Sequence, residues 1–479
     1  MASLKERTVE GLFWGALGNG GLQVLNLVFG IFLGRLLNPD DYGMIGMLTI
    51  FSLLATNVAE SGFINALARK KEVSQRDYNA VFWFSLLMSM GIYLLLFFCA
   101  PLIARFYHQP DLIPLSRFVF LGFVISGTAV VPSAIFYRHL KVKLRMASQL
   151  TALLTSGITG VTLAWLGMAY WGIAIQGVVY VSVYTLLMWY NAHWRPSWHI
   201  DFGPVREMFG YSSKLMVTSV FNHISNNVLS VLLGRWFLRS DVGHYTQAAK
   251  WNTMGQSLIS NMIGGVAMPV LASVDGERRL HIFRKMLRFV SFVAFPLMLG
   301  LGLVAEELIV ITVTEKWLPA AFLLQMLCVM GAFAPIISLY TNLIISDGHS
   351  DTYMYGTIML GVLQIALLSV TRHYGITVMV AVYTATAVAW LLYWHYQASR
   401  IVGITLLAAL KDMMPFLLIA IAALAAAYYA TLPLDNIYLR MAGKMACAAV
   451  CYLGILRMAH AKILKESIDF LQSSVLHKK

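Results

Sequence analysis

Residues 26–43 read NLVFGIFLGRLLNPDDYG and residues 226–243 read NNVLSVLLGRWFLRSDVG, two apolar stretches that run into the same kind of turn. Seven of the 18 aligned positions are identical, Asn26/Asn226, Val28/Val228, Leu33/Leu233, Gly34/Gly234, Arg35/Arg235, Asp41/Asp241 and Gly43/Gly243, where chance pairing gives about one. An apolar helix of about 20 residues crosses a hydrocarbon core of about 30 Å, so each copy reads as the end of a membrane span followed by its outer turn. Both copies run in the same direction. A parallel repeat of this kind implies two six-helix lobes related by an axis along the membrane normal, with a substrate site between them near the midplane.

Composition agrees with that reading along the whole chain. Of 479 residues 59% are hydrophobic and 12% charged, and the mean hydropathy is +0.71, against roughly 45–50% and about 25% in a soluble domain. The expected fold is an all-α integral membrane protein. Uninterrupted apolar stretches give fourteen spans: 11–34, 42–63, 79–101, 113–135, 147–167, 171–191, 215–234, 244–268, 289–305, 319–345, 353–370, 375–396, 413–431 and 441–456. The organisation expected is an N-terminal lobe over 1–192, a cytoplasmic linker over 193–214 and a C-terminal lobe over 215–397. Two appended spans and a cytoplasmic tail fill 398–479, outside the repeat.

The charges test this alternation. With the N-terminus inside, the cytoplasmic segments hold 25 Lys and Arg and the opposite segments 7, while Arg117, Lys250 and Lys444 lie within spans. Short cytoplasmic loops are enriched in Lys and Arg, so the bias predicts a multi-pass protein of the bacterial inner membrane with both termini cytoplasmic. The loop at 346–352 carries no Lys or Arg and is the weakest link. Topology accounts for the net charge of +13 without nucleic acid. Ser3 and Glu6 have capping-box spacing ahead of the first span, and with no cleavable signal peptide that span is expected to direct insertion. Cys99, Cys328, Cys447 and Cys451 all fall in apolar runs and read as packing residues.

Charged groups in hydrocarbon are costly and therefore functional candidates. Glu60 is the one acid inside the expected spans; Arg117 and Lys250 are the cations, and Lys444 is placed near enough to a helix end to snorkel. Uncharged polar residues gather on the first span at Gln23 and Asn26, on the second at Asn57, and on the seventh at Asn222, His223, Asn226 and Asn227. The eighth adds Asn252, Gln256 and Asn261 and the tenth adds Thr341 and Asn342. Interhelical hydrogen bonds explain such residues as well as a hydrated cavity does. Cations without matching acids suit an anionic substrate, because a pyrophosphate leaving water needs Lys or Arg donors. Gly15, Gly18, Gly20, Gly21, Gly30 and Gly34 permit either close packing or bending of the first helix. No GxxxxGK[ST] or HExxH pattern is present, so neither a nucleotide nor a metal cofactor is expected.

The segments LKERTVEGLFWGALGNGG, FLGRLLNPDDYGMIGM, AESGFINALARKKEVSQRD, LLGRWFLRSDVGHYTQAAKWNTM and EKWLPAAFLLQMLC resemble the polysaccharide-transporter family of the MOP exporter superfamily, in particular its colanic-acid exporter and O-antigen flippase types. The similarity runs from Leu4 to about Gly348, and its most distinctive part is the turn with Gly34, Arg35, Pro39, Asp41 and Gly43. The resemblance implies a V-shaped, two-lobed transporter with a central cationic cavity. It implies as cargo an undecaprenyl-diphosphate-linked glycan repeat unit, moved across the lipid bilayer from the cytoplasmic to the periplasmic leaflet. As pathway partners it implies glycosyltransferases inside, and a polymerase and a chain-length regulator outside. Lys250, after GHYTQAAK, and Glu60, before Ser61-Gly62, match positions that are commonly polar in the family. Thr314, before Glu315-Lys316-Trp317, departs from it, since glycine is frequent there.

The expected substrate-contacting residues are thus Lys250, Arg117, Glu60, Asn26, Asn226, Gln256 and Asn342. The alternative is a cation-coupled multidrug exporter of the same superfamily, for which Glu60 is a meagre supply of acid. A membrane glycan polymerase is a third reading, opposed by the short outer loops.

Overall fold

The computed structural model describes residues 4–60, 63–70, 72–198, 201–264, 267–274, 276–459 and 463, and every regular element among them is helical. The chain divides into two compact units, Met1–Gly243 and His244–Lys479. The first holds α1 (Leu4–Leu36), α2 (Pro39–Glu60), α3 (Phe63–Arg69), α4 (Gln75–Tyr107), α5 (Leu112–Val119), α6 (Leu121–Thr128), α7 (Val130–Arg138), α8 (Val142–Trp165), α9 (Ala169–Ala192) and α10 (Gly203–Trp236). The second holds most of α11 (Arg239–Gly264), then α12 (Ala267–Ala272), α13 (Gly276–Leu303), α14 (Ala305–Val313), α15 (Leu318–Ser346), α16 (Ser350–Thr371), α17 (Ile376–Ala389), α18 (Leu391–Val402), α19 (Leu406–Thr431) and α20 (Ile437–Met458).

Nine helical segments among the described residues are long and apolar enough to cross a membrane, ten if one bent pair counts as a single span. That pair replaces the expected straight span at 113–135 and bends by 45° between Leu112–Thr128 and Val130–Arg138. Pro132, in the first turn of α7, has no N–H to continue the helical ladder across the break. The expectation of fourteen crossings also needs α2, α8, α10 and α11, which have 22, 24, 34 and 26 residues. At 1.5 Å per residue each is long enough for a core of about 30 Å.

The two turns that share sequence also share hydrogen bonds. The Asn38 N–H donates to Asp41 Oδ2 at 2.9 Å and the Leu238 N–H to Asp241 Oδ2 at 3.3 Å, the returning half of a capping box in each case. The Leu37 N–H bonds the Leu33 carbonyl and the Phe237 N–H the Leu233 carbonyl, both at 2.9 Å. The turns also touch each other. Gly43 lies against the Arg239 carbonyl and Gly243 against the Pro39 carbonyl, so closely that a methyl group on either glycine would overlap the oxygen. Both contacts fall within Met1–Gly243, where Gly234 likewise packs α10 onto Tyr107 and Met47. Gly18 and Gly21 of α1 face Met146 and Leu150 of α8, which favours packing over bending as their use.

Residues 194–198 and Asp201 dock on the start of α4. The Trp194 Nε1–H donates to Gln75 Oε1 at 2.7 Å, the Trp83 Nε1–H to the Ser197 carbonyl at 2.9 Å, and Arg76 pairs with Asp201. In the second unit, Arg279 of α13 donates to Ser346 Oγ at 2.9 Å and pairs with Asp347. A cation thus reaches the loop that carries none of its own. The capping box expected from Ser3 lies outside the described residues.

Helices α19 and α20 are held by buried ion pairs. Asp412 accepts from Arg284 Nε at 2.6 Å and Nη2 at 3.1 Å. Glu307, fully buried on α14, lies 2.6 Å from Lys444 Nζ and 2.8 Å from Arg440 Nε. Lys444 also donates to the Leu303 carbonyl at 3.2 Å and is itself buried, so the expectation that it snorkels is corrected. Its reach along the helix is spent on a carboxylate that the apolar-run reading left between two spans. Thr314, between α14 and a short 3-10 turn, adopts φ 81°, ψ 168°, a region open in practice to glycine alone. Gly375 has nearly the same angles, φ 89° and ψ 169°, ahead of α17. The departure from the family pattern at Thr314 therefore sits at a strained backbone.

Two outcomes follow for stability. Gly43→Ala and Gly243→Ala should each cost at least the about 1–3 kcal/mol of ordinary overpacking, because the obstructing atom is backbone and cannot swing aside. Gly20→Ala, where nothing lies within 4 Å, should leave the unfolding midpoint in detergent unchanged; equal midpoints for all three variants would contradict the tight contact. Lys444→Ala should cost up to about 3–5 kcal/mol by leaving a buried carboxylate with the half-exposed Arg440 alone, while Glu307→Gln combined with Lys444→Met should recover most of that loss. A double variant as unstable as the single one would show that Glu307 has no need of the lysine.

Candidate functional site

Asn26 on α1 and Asn226 on α10 occupy equivalent positions of the repeated segment, and both are exposed. The two asparagines thus match in accessibility as well as in sequence position. Around Asn226, Asn222 and His223 are half-buried, and Asn227 Nδ2 donates to the His223 carbonyl at 2.9 Å. Part of the seventh span's polarity is therefore satisfied within its own helix, while Asn226 is turned outward.

Arg117 has a local explanation. Its guanidinium lies 4.2 Å from the centre of the Phe97 ring and its Nε donates to the Phe97 carbonyl at 3.4 Å. Helix α4 thus supplies a cation–π face and an acceptor for a charge in the last turn of α5. Glu60 is the last residue of α2, and its side chain lies outside the described residues. Asn342 of α15 donates at 3.4 Å to Ser338 Oγ, one turn earlier on the same helix.

In the second unit the polar groups concentrate on α11. Asn252 and Gln256, four residues apart on one face, flank Gly331 of α15 beside Met298 of α13, and a methyl on Gly331 would overlap Asn252 Oδ1. Glycine at that position lets the two amides enter the helix interface. Lys250 is half-buried on the same helix. Gln247 Oε1, Trp251 Nε1 and Asn252 Oδ1 are buried with no hydrogen-bonding partner among the described residues. A buried polar group left without a partner costs about 1–3 kcal/mol, so this helix holds an unspent capacity to bind.

The structure therefore joins Gln256 to Asn252 on the helix that carries Lys250. Asn342 lies 11 residues past Gly331, roughly 16 Å along α15 at 1.5 Å per residue. Gln247 and Trp251 were not legible as site candidates, because a glutamine and a tryptophan in a stretch with Lys250 read as an ordinary amphipathic turn. Their four-residue spacing, which puts both on one face, was the available signal.

A family model described as "Polysaccharide biosynthesis protein" matches residues 32–322. The chain is 25% identical to the lipopolysaccharide biosynthesis protein WzxC of Escherichia coli K12 over 358 residues, covering 73% of this chain and 72% of that protein. It is 22% identical over 474 residues to the teichuronic acid biosynthesis protein TuaB of Bacillus subtilis 168, covering 96% and 97%. Among solved structures, the lipid II flippase MurJ in an inward closed conformation superposes with a TM-score of 0.78 at 13% identity, covering 94% of this chain and 99% of that one. The MurJ likeness establishes a shared fold, and with the family match spanning well over half the sequence, from within α1 to within α15, the chain belongs to the polysaccharide biosynthesis protein family.

Proposed function

We propose that this protein is a flippase that moves undecaprenyl-diphosphate-linked oligosaccharide repeat units from the cytoplasmic to the periplasmic leaflet of the inner membrane, for surface polysaccharide biosynthesis. It acts as a transporter rather than as an enzyme. The observation that carries the reading is the polar character of α11, where Lys250 shares a helix with Gln247, Trp251 and Asn252, whose buried polar atoms have no hydrogen-bonding partner among the described residues. Hydrocarbon does not satisfy such groups, whereas a diphosphate and its first sugar offer both an anion and hydroxyls. The names of the relatives point to the same pathway. WzxC and TuaB are described as biosynthesis proteins of two different surface glycans, which suits a carrier selective for the lipid diphosphate they would share.

In this reading Lys250 holds the diphosphate, with Gln256 and Asn252 beside it on α11. Arg117, Glu60, Asn26, Asn226 and Asn342 are second contacts at other stages of the cycle. Both termini are cytoplasmic, the chain crosses fourteen times, and the units expected over 1–192 and 215–397 are the moving lobes. A polymerase and a chain-length regulator receive the product outside. Three buried acids are already committed to cations, which argues against organic cations as cargo: Asp77, Glu307 and Asp412 are buried against Lys70, Lys444 with Arg440, and Arg284 with Arg288.

The test is glycan export in a strain lacking its own flippase, with membrane abundance checked by blot. Lys250→Ala should abolish export while the protein remains inserted, and Lys250→Arg should retain part of it, because charge survives while geometry changes. If Lys250→Ala and Arg117→Ala both export at the wild-type level, the cations do not hold the substrate.

A further inference from the structure

The first unit holds a partly open cavity of about 420 Å³ that the repeat and the cationic helix leave unexplained. Its walls are α2, α6, α7 and α9 with single residues of α3 and α5, and no charged side chain lines it. The volume falls within the range of small-molecule sites, about 300–1,000 Å³. Along α9 it extends from Ile173 to Thr185, roughly 18 Å at 1.5 Å per residue, so it is long and narrow. The bend between α6 and α7 opens one wall, and Gly122 and Gly177 open two others: a methyl on either would meet nothing within 4 Å.

What lines this space is chemically uniform. Ser52, Ser126, Ser133, Tyr180, Tyr184 and Thr185 present hydroxyls on an otherwise apolar surface, and the Tyr180 and Tyr184 rings are parallel within 4° at 6.3 Å. The decisive group is Thr185. It is 5% exposed, faces the cavity, and its Oγ1 is buried with no hydrogen-bonding partner among the described residues. A threonine in a helix ordinarily bonds the carbonyl one turn back, as Thr159 does to Thr155 at 2.9 Å. Thr185 forgoes that bond at the wall of an unfilled space. A prenyl or acyl chain would leave the hydroxyl unsatisfied, and an anion would find no countercharge. A neutral saccharide meets both conditions, with ring hydroxyls for the serines and threonine and apolar faces for the tyrosines.

We propose that this cavity is a saccharide-binding pocket, taking uncharged sugars of the cargo while the diphosphate is held elsewhere. The pocket rests on the flippase reading above. It gives that reading a second recognition element, one that distinguishes a glycan-bearing carrier from the bare lipid diphosphate.

The experiment compares binding of two probes to the full chain in lipid nanodiscs: undecaprenyl-diphosphate-linked repeat units purified from the host strain, and undecaprenyl diphosphate without sugar. Wild-type protein should prefer the glycan-bearing lipid by roughly tenfold, the scale of one or two buried hydrogen bonds gained. Gly177→Leu and Gly122→Leu, whose Cβ atoms would meet nothing within 4 Å and whose side chains would occupy the cavity, should erase the preference and leave affinity for the sugar-free lipid unchanged. Thr185→Val, nearly the same shape without the hydroxyl, should reduce the preference several-fold. Retention of the full preference in all three variants overturns the pocket and leaves the flippase reading standing. Equal loss of both probes in the leucine variants also overturns it, because the occupant is then the isoprenoid. Wild-type protein that binds neither lipid contradicts the flippase reading itself, and the pocket with it.

Discussion

Inside a bilayer a polar group cannot turn to water, so each one must find a partner in the protein or in a ligand. Most of this chain obeys that constraint by being helical, since helices close their backbone hydrogen bonds internally. The remaining side chains divide by whether the protein satisfies them. Asp412 and Glu307 are enclosed by arginine and lysine and tie α19 and α20 to α13 and α14. Gln247 Oε1, Trp251 Nε1 and Asn252 Oδ1 on α11, and Thr185 Oγ1 on α9, are buried without a hydrogen-bonding partner among the described residues. The first set holds the second unit together, and the second set is where the proposed ligands would find polar partners.

The same constraint explains the turns at 34–43 and 234–243. A chain leaving and re-entering hydrocarbon must cap two helix ends within a few residues, and an aspartate three residues on from the turn's first N–H does so in both copies. The glycines that follow, Gly43 and Gly243, carry no side chain because a backbone carbonyl occupies the place where a Cβ would stand. Their identity in the sequence thus has a steric origin as well as a historical one.

Much of the architecture could be read in advance because apolar runs, cationic loops and a repeated turn are one-dimensional signals. Helices cover most of the expected apolar runs, but nine or ten segments among the described residues qualify as spans rather than fourteen; the run at 113–135 is broken near Ala129, beside Pro132, and that at 375–396 is broken at Trp390. The Glu307–Lys444 pair was hidden for a specific reason: the carboxylate stood just past one apolar run, and only packing of α20 against α14 brings the lysine to it. The hydroxyl-lined cavity was hidden more deeply. Serine, threonine and tyrosine are ordinary in membrane helices, and no spacing rule separates Thr185, which lacks a partner, from Thr159, which bonds its own helix. Lys250 and Gln256 were visible by type, but Gln247 and Trp251 join them only once burial is known.

The account stands on the claim that the cargo is a glycan attached to a lipid diphosphate and that this chain alone carries it between leaflets. Reconstitution of the purified protein into sealed vesicles, with lipid-linked repeat units loaded in one leaflet and a membrane-impermeant glycosidase added outside, measures that movement directly. The account predicts that the fraction of glycan open to the enzyme changes with time only in vesicles containing the protein. A glycan fraction that stays fixed, while the same vesicles move an organic cation, would contradict it and assign the chain to drug export.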